Sequence, residues 1–414
     1  MSRRAAPALS KPTLRILAQN AGRDPERLAI KLARMREDPF AFFRGTNPLF
    51  LELLPRSHPL LRAPSVLICG DLHLENYGAF KGENRLGYFD VNDFDEACLA
   101  PFTIDIVRFV ASIKVAAPGL GLNKARTRLL VRQFLRAYRH AIDDGKPRWL
   151  ERSLMMGVFR ALLRRAARRT RLELLTHFTK LRAGRRRIRT DGVHALAMDA
   201  GVLARLQRFL AHLRVRGKKA SFFTLVDAAR RSAGNGSLGL PRYMLLVRAR
   251  GASSPSLVLD LKFAAPSAVA AWFKGPQPQW PTEAARVVAI QRLLQAMAPA
   301  LLQAVQFDRL PFVLKELQPS MDRLDLSLWR DEKTHRLVEA IEGMGQVAAW
   351  AHLRGCGHLG AVRVEQLQSY VGTRRWAEAA ERLAESATGK IHRAWRAYTK
   401  DYDAGRVHAA LKRS

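Results

Sequence analysis

Apolar positions recur along this chain with three different spacings, and each predicts a different kind of element. Residues 10 to 60 read as helical and end in "DPFAFFRGTNPLF", where Pro39 and Gly45 punctuate an aromatic stretch. "SVLICGD" (65 to 71) is a continuous apolar run with the profile of a buried strand, and "RLGYFDVNDFDEA" (85 to 97) reads as a second strand running into an acidic turn. From "IDIVRFVASIKVAA" (104 to 117) to about residue 215, apolar residues return three and four apart, which predicts an α-rich region. The character changes at about residue 222. "RYMLLVRARGASSPSLVLDLKFA" (242 to 264) reads as strand, Gly/Ser/Pro turn and strand, and so predicts an antiparallel sheet. "PTEAARVVAIQRLLQAMAPALLQAV" (281 to 305) predicts a long helix opening with Pro281, Thr282 and Glu283, followed by a strand at "FVLKELQ" (312 to 318). Residues 331 to 414 are helical again. There is no internal repeat and no low-complexity linker, so the parts are expected to pack together.

The length of 414 residues exceeds what one core fills and predicts two lobes. The expected division is residues 1–220 with the first strands and a helical lobe, 221–320 as a sheet lobe, and 321–414 completing the helical lobe. With 48% hydrophobic and 26% charged residues, the chain is a folded globular protein by composition. Cys69, Cys98 and Cys356 form no CxxC pair and no zinc-type spacing, which points to a reducing, cytoplasmic setting. "MSRRAAPALSKPTLRIL" lacks a sustained apolar stretch, and no segment approaches 18 uncharged apolar residues, so neither secretion nor membrane spanning is indicated. The net charge of +34 changes the picture of possible partners. Runs such as "RRAARRTR" (164 to 171) and "RAGRRRIRT" (182 to 190) either solvate helix faces or attract an anionic macromolecule to Arg-rich helices.

The candidate chemistry begins at "GDLHLEN", where Asp71 and Asn76 have the Asp-x-x-x-x-Asn spacing of a phosphotransferase catalytic loop. There the Asp orients or deprotonates an acceptor hydroxyl, and the Asn holds a metal bridging the nucleotide phosphates. An ordinary capped turn is the alternative for these two residues alone. The stretch, with His73 inside it, resembles the "GDLHxxN" loop of aminoglycoside and choline phosphotransferases of the protein-kinase-like superfamily; Cys69 stands where those enzymes usually have His. The resemblance implies a second metal-binding acid after a hairpin, and "YFDVNDFDEA" offers Asp90, Asp93 and Asp95. Asp105 follows Asp93 by twelve residues, like the helix Asp that braces the catalytic loop in aminoglycoside phosphotransferases. That makes Asp93 the first choice of ligand, Asp95 the second and Asp90 the third. In so basic a chain, an acid cluster is expected to be offset by a cation such as magnesium.

Further along, "GNGSLG" places Gly234, Gly236 and Gly239 in a GxGxxG pattern. A dinucleotide fold needs a helix straight after it, but Pro241 and a strand follow, so a glycine-rich lid between strands fits better. Lys262 ends the next apolar strand, where a kinase-like fold places the lysine that contacts the α and β phosphates. Glu283 is the candidate partner of Lys262, and "FVLKELQP" the strand approaching the hinge. "GQVAAWAHLRG" resembles the "LAxxH" helix that normally precedes the catalytic loop, and His352 in it is expected to be a packed or capping histidine. Arg44 and Arg230 are candidates to clamp phosphate or an acidic substrate.

These parts stand in rotated order, with the catalytic loop and metal Asp first, as a circular permutation would place them. Such a rearrangement is tolerable when chain termini are close together. The chain also resembles an uncharacterised bacterial family, domain of unknown function 2252, through "RMREDPFAFFRG", "GDLHLENYGAF", "VNDFDEACLAPFTIDIVRF", "DAARRSAGNGSLG", "RVVAIQRLLQ", "FVLKELQP" and "AHLRG". The expectation is therefore an α+β, protein-kinase-like two-lobe fold in permuted order, with a small antiparallel sheet lobe and a large helical lobe. The expected activity is phosphotransfer from ATP, with Mg2+, to an unidentified small-molecule or protein hydroxyl. A nucleotide-binding pseudokinase and a non-catalytic binder of polyanions are the rivals. A metal-dependent phosphoesterase, suggested by Asp71-x-His73, would need GNH[ED] and His-x-His strings that the sequence lacks.

Overall fold

The computed structural model describes residues 9–151, 157–214, 223–249, 256–318, 334–373 and 375–412. The stretch read as helical at the start holds four short helices, Lys11–Gln19, Pro25–Glu37, Pro39–Gly45 and Asn47–Glu52. Each has proline in its first two positions, where a missing N–H costs nothing. Asp24 and Asp38 cap the second and third by accepting the N–H of Arg27 and Ala41.

A small β unit follows. Ser65–Ile68 pairs antiparallel with Cys98–Pro101, and Tyr77–Lys81 pairs antiparallel with Gly87–Val91. Between these pairs lie two loops, residues 69 to 76 and 92 to 97, which carry the acids singled out above. The next helix, Thr103–Ala116, is buried on nearly every side. The helices Lys124–Asp144, Thr334–Gly355 and Arg375–Asp403 share its core. Gly345 lets two of them approach, because a Cβ there would lie 2.7 Å from the Phe134 carbonyl oxygen.

The long sheet runs in the order 303–307, 310–316, 256–263, 242–249, 223–231 and 195–196, antiparallel throughout. Its side chains alternate between two cores, as a strand's period of two dictates. Leu245, Leu259, Leu261 and Leu314 face the helix Ala200–His212 through Leu206 and Leu210. Ala229, Met244, Val258 and Leu317 point the other way, against Leu175 and Ile188. The helix Glu283–Leu294 packs on the two strands of the 303–316 hairpin.

The architecture is α+β, with an antiparallel sheet beside a larger helical part. Two expectations are corrected. The helix predicted over 281 to 305 stops at Leu294, and Gln303–Phe307 is a strand paired with Leu310–Glu316. A short apolar run does not distinguish buried helix from strand, and here the neighbouring strand decides. The second arginine run is not helical either: Thr179–Arg182 and Arg185–Ile188 form a hairpin whose turn, Ala183 and Gly184, has positive φ. Only the first run lies on helices, Gly157–Arg168 and Arg171–Phe178. The turn expected at residues 250 to 255, and Pro319 with any hinge after it, lie outside the described residues. Among the described residues, no helix is long and apolar enough to cross a membrane. Residues from opposite ends of the chain meet: the Ser10 N–H donates to Asp401 Oδ2 at 2.8 Å, and the Thr13 hydroxyl donates to the same oxygen at 2.7 Å.

Candidate active site

The 69–76 loop is held from beneath. Gly70 has a φ of +79° and lies so close to the Glu96 carbonyl that a Cβ would collide with it, which leaves glycine as the residue that fits. The N–H groups of Cys69 and Gly70 donate to Asp105 Oδ2 and Oδ1 at 3.0 and 2.9 Å. Asp105, on the buried Thr103–Ala116 helix, thus satisfies two buried donors. His352 Nε2 lies 3.3 Å from the same carboxylate, and its Nδ1 is 2.8 Å from the Tyr138 hydroxyl. His352 is therefore a packed histidine, and the Thr334–Gly355 helix ends beside the loop although its sequence is far away.

Arg108, three residues after Asp105, was missed by the sequence reading. Its Nε donates to Asp71 Oδ1 at 2.8 Å, its Nη2 donates to the Phe43 carbonyl at 2.8 Å, and its guanidinium lies 3.6 Å from the Phe43 ring centroid. The available signal was a lone arginine inside the apolar "IDIVRFVAS" run, since a fully buried cation needs a carboxylate partner. Burial pushes the Asp71 carboxyl above its ordinary range, and Arg108 only partly offsets this.

Asn76 stitches the two loops together. Its Nδ2 donates to the carbonyls of Asp71 (3.1 Å) and Asp93 (3.2 Å), and its Oδ1 accepts the Asp93 N–H at 2.8 Å. His73 acts locally, with Nδ1 accepting the Glu75 N–H at 3.2 Å. Lys262 reaches from the long sheet to both loop acids, 3.2 Å from Asp93 Oδ1 and 2.5 Å from Asp95 Oδ2. Burial works to raise the Asp93 carboxyl, but Lys262, Lys315 and Arg242 outweigh it and hold Asp93 well below the usual range. Burial and the neighbouring Asp93 charge push Asp95 up. Asp90 faces elsewhere, accepting the N–H of Ala296 at 2.9 Å and of Val91 at 2.8 Å, because it sits on a strand where every other side chain turns away.

Three other candidates are placed differently from expectation. Glu283 pairs with Arg286 at 2.6 Å one turn on, not with Lys262, because it is the first residue of its helix, after the N-cap Thr282, while Val287 and Gln291 face the cavity. Arg230 binds Asp24 at 2.7 Å and Glu26 at 2.9 Å, tying the sheet to the N-terminal helices; its neighbour Arg231 faces the site instead. The glycine loop is not a free lid. Gly234 and Gly239 take positive φ, and the loop carbonyls turn toward cations: Arg23 Nη1 donates to Gly236 and Leu238 at 2.7 Å each, and Lys31 Nζ to Gly236 at 3.1 Å. Arg44 is ion-paired with Glu75 and stacks on Phe40.

Two cavities meet here. One, of about 420 Å³, lies under the sheet and is lined by Arg231, Arg242, Asp260, Lys262 and Lys315; the other, of about 330 Å³, is lined by Asp71, His73, Asn76, Glu96 and Lys31. Asp93, Asp95, Arg44, Gly234 and Asn235 line both, so the paired acids stand at the junction. Among the described residues no three His, Cys, Asp or Glu side chains converge as a ready metal cage. Magnesium commonly uses one or two carboxylates, with water and substrate phosphates completing its octahedron. Asp93 and Asp95, a like-charged pair that share Lys262, with the second lone pair of Asn76 Oδ1 beside them, fit that mode of binding.

A family model described as an uncharacterized protein conserved in bacteria (DUF2252) matches residues 23–401, and the chain belongs to that family. No curated protein and no solved structure matches the chain.

Proposed function

We propose that this protein is an ATP- and Mg2+-dependent phosphotransferase acting on a hydroxyl acceptor, with kinase-like parts in permuted order. The observation that carries this reading is the reach of Lys262 from the sheet to Asp95 and to Asp93, the latter 169 residues away in sequence. In a kinase-like site the strand lysine and the metal-binding acid meet around the donor phosphates. The glycine loop between strands 223–231 and 242–249, Lys262 on the next strand and a helix before the 303–316 hairpin support the same reading.

On this reading Asp71 accepts the proton of the acceptor hydroxyl in the 330 Å³ cavity, and Arg108 holds its carboxylate in place. Asp93, Asp95 and Asn76 would hold magnesium, which would supply positive charge to offset that of the donor phosphates. Lys262 draws the phosphates to the junction, and Asp105 with His352 fixes the loop on which Asp71 rides. The expected lobes, 1–220 with 321–414 and 221–320, then close around the two cavities. The three cysteines are buried and unpaired, which supports a cytoplasmic setting. A second reading, capture of a polyanion, is favoured by exposed Arg160, Arg164, Arg165, Arg168 and Arg185 on one stretch of the chain.

Release of phosphate from ATP, followed with and without Mg2+, tests the proposal. Turnover that needs Mg2+ and falls about 10²- to 10⁴-fold in Asp71→Asn, with nucleotide binding retained, supports it. Turnover indifferent to Asp71 would remove the proton-accepting role.

A further inference from the structure

The cavity under the sheet has an unusual wall for a site that is to hold a nucleotide base. Base-sized pockets are lined mainly by apolar side chains, with few polar groups to fix orientation. The sheet face turned to this cavity does have an apolar part, Ala229, Met244, Val258 and Leu317, but Leu175 and Ile188 already cover it. What remains open is the charged part of the same face. Arg242 stands opposite Lys262 on adjoining strands, and Asp260 stands opposite Lys315 on the next pair. Arg231 and Arg242 both engage Asp260, at 2.9 and 2.6 Å. Lys315 makes no ion pair with a described residue, and burial pushes its ammonium down to about 8. Along the sheet, Arg231, Arg242, Lys262 and Lys315 thus stand against the single carboxylate of Asp260, while Asp93, Asp95, Glu37 and Asp38 line the same cavity from other elements.

Unsatisfied polar atoms line the same space. Ser232 Oγ, Gln318 Nε2, Arg44 Nε, Asn92 Oδ1 and Asn235 Oδ1 are buried without a hydrogen-bond partner among the described residues, and all five residues line the cavity. Buried polar groups are normally satisfied, so the three donors among them, Ser232 Oγ, Gln318 Nε2 and Arg44 Nε, point to a ligand with acceptor oxygens, while the Asn92 and Asn235 amide oxygens can only accept.

Resting on the phosphotransferase reading above, we infer that the cavity under the sheet takes an oligophosphate chain and not a base, so the donor is recognised by its phosphates whatever base they carry. Asp260 fits this assignment: it holds the two guanidinium groups in place without neutralising both. The chemistry is shared by nucleoside triphosphates and by inorganic tripolyphosphate, and the experiment separates them.

The full chain, with Mg2+, is titrated calorimetrically with ATP, GTP, inorganic tripolyphosphate and adenosine, beside Lys315→Gln. That substitution removes a half-buried cation and breaks no ion pair with a described residue, so the fold is expected to persist. The expected result is one site per chain, affinities for the three triphosphates within about threefold of one another, no adenosine binding, and a loss of about tenfold or more for each in Lys315→Gln. ATP binding with adenosine competing, or with tripolyphosphate inert, would overturn the inference and leave the phosphotransferase reading standing. Several tripolyphosphates per chain, insensitive to Lys315, would assign the binding to surface arginines and overturn it as well. Failure of every triphosphate to bind would remove both.

Discussion

Asp105 accepts two backbone N–H groups that have no access to water, and that sets what its loss does. Asp105→Ala strands the donors of Cys69 and Gly70 and takes away one of the two partners given above for His352. The expected destabilisation is about 2–6 kcal/mol, at about 1–3 kcal/mol for each of the two stranded groups, read from denaturant unfolding; a loss below about 1 kcal/mol would mean that the loop is braced otherwise. Glu96 gives a pH signature. Burial and the nearby Asp71 charge push its carboxyl from 4.5 up to about 7. A raised carboxyl binds more protons folded than unfolded, so its contribution to stability falls as pH rises between these two values and is unfavourable above the upper one. The stability of Glu96→Gln relative to the wild type should therefore move in the variant's favour from about pH 4.5 to about pH 7; a difference independent of pH would contradict the shift. At this scale the sequence singled out Asp71, Asn76, Asp93 and Asp105, whose loops the fold brings together through Asn76 and Asp105. Arg108, Arg242 and Lys315 were not legible, because their roles depend on which strand or helix face turns inward, and that is set by register with distant segments.

At the scale of elements, the glycine loop illustrates how a local pattern can be right about backbone and wrong about freedom. Gly234 and Gly239 adopt the positive φ their type allows, yet the helices at the start of the chain clamp the loop through Arg23 and Lys31. Arg23→Ala removes two side-chain bonds to loop carbonyls. It should speed amide hydrogen exchange in residues 234–240 by about tenfold while shifting the midpoint of thermal unfolding little, because local opening has its own free energy. Unchanged exchange there would show that Lys31 and Asn235 suffice. The segment 281–305 failed as a single helix for a related reason: its spacing is compatible with helix throughout, and only pairing with Leu310–Glu316 turns its last residues into a strand. Strands 65–68 and 87–91 were legible, since their apolar runs are short and bounded by glycine and acid.

The whole molecule joins two readings that composition alone kept apart. A charge of +34 suggested a surface for polyanions, and part of that charge proves to be buried in the long sheet, where Arg231, Arg242, Lys262 and Lys315 gather around a cavity. The contact of Ser10 and Thr13 with Asp401 was not legible, because no local pattern encodes it. The central claim is that Lys262, Asp93 and the phosphates of a donor form one site. The most direct test is calorimetric titration of the wild type, Asp93→Ala and Lys262→Ala with a non-hydrolysable ATP analogue, with and without Mg2+, after thermal unfolding has shown that both variants fold. The account predicts binding that requires Mg2+ in the wild type and is lost in both variants. Folded variants that bind the analogue as the wild type does, or a wild type that does not bind it, would contradict the account.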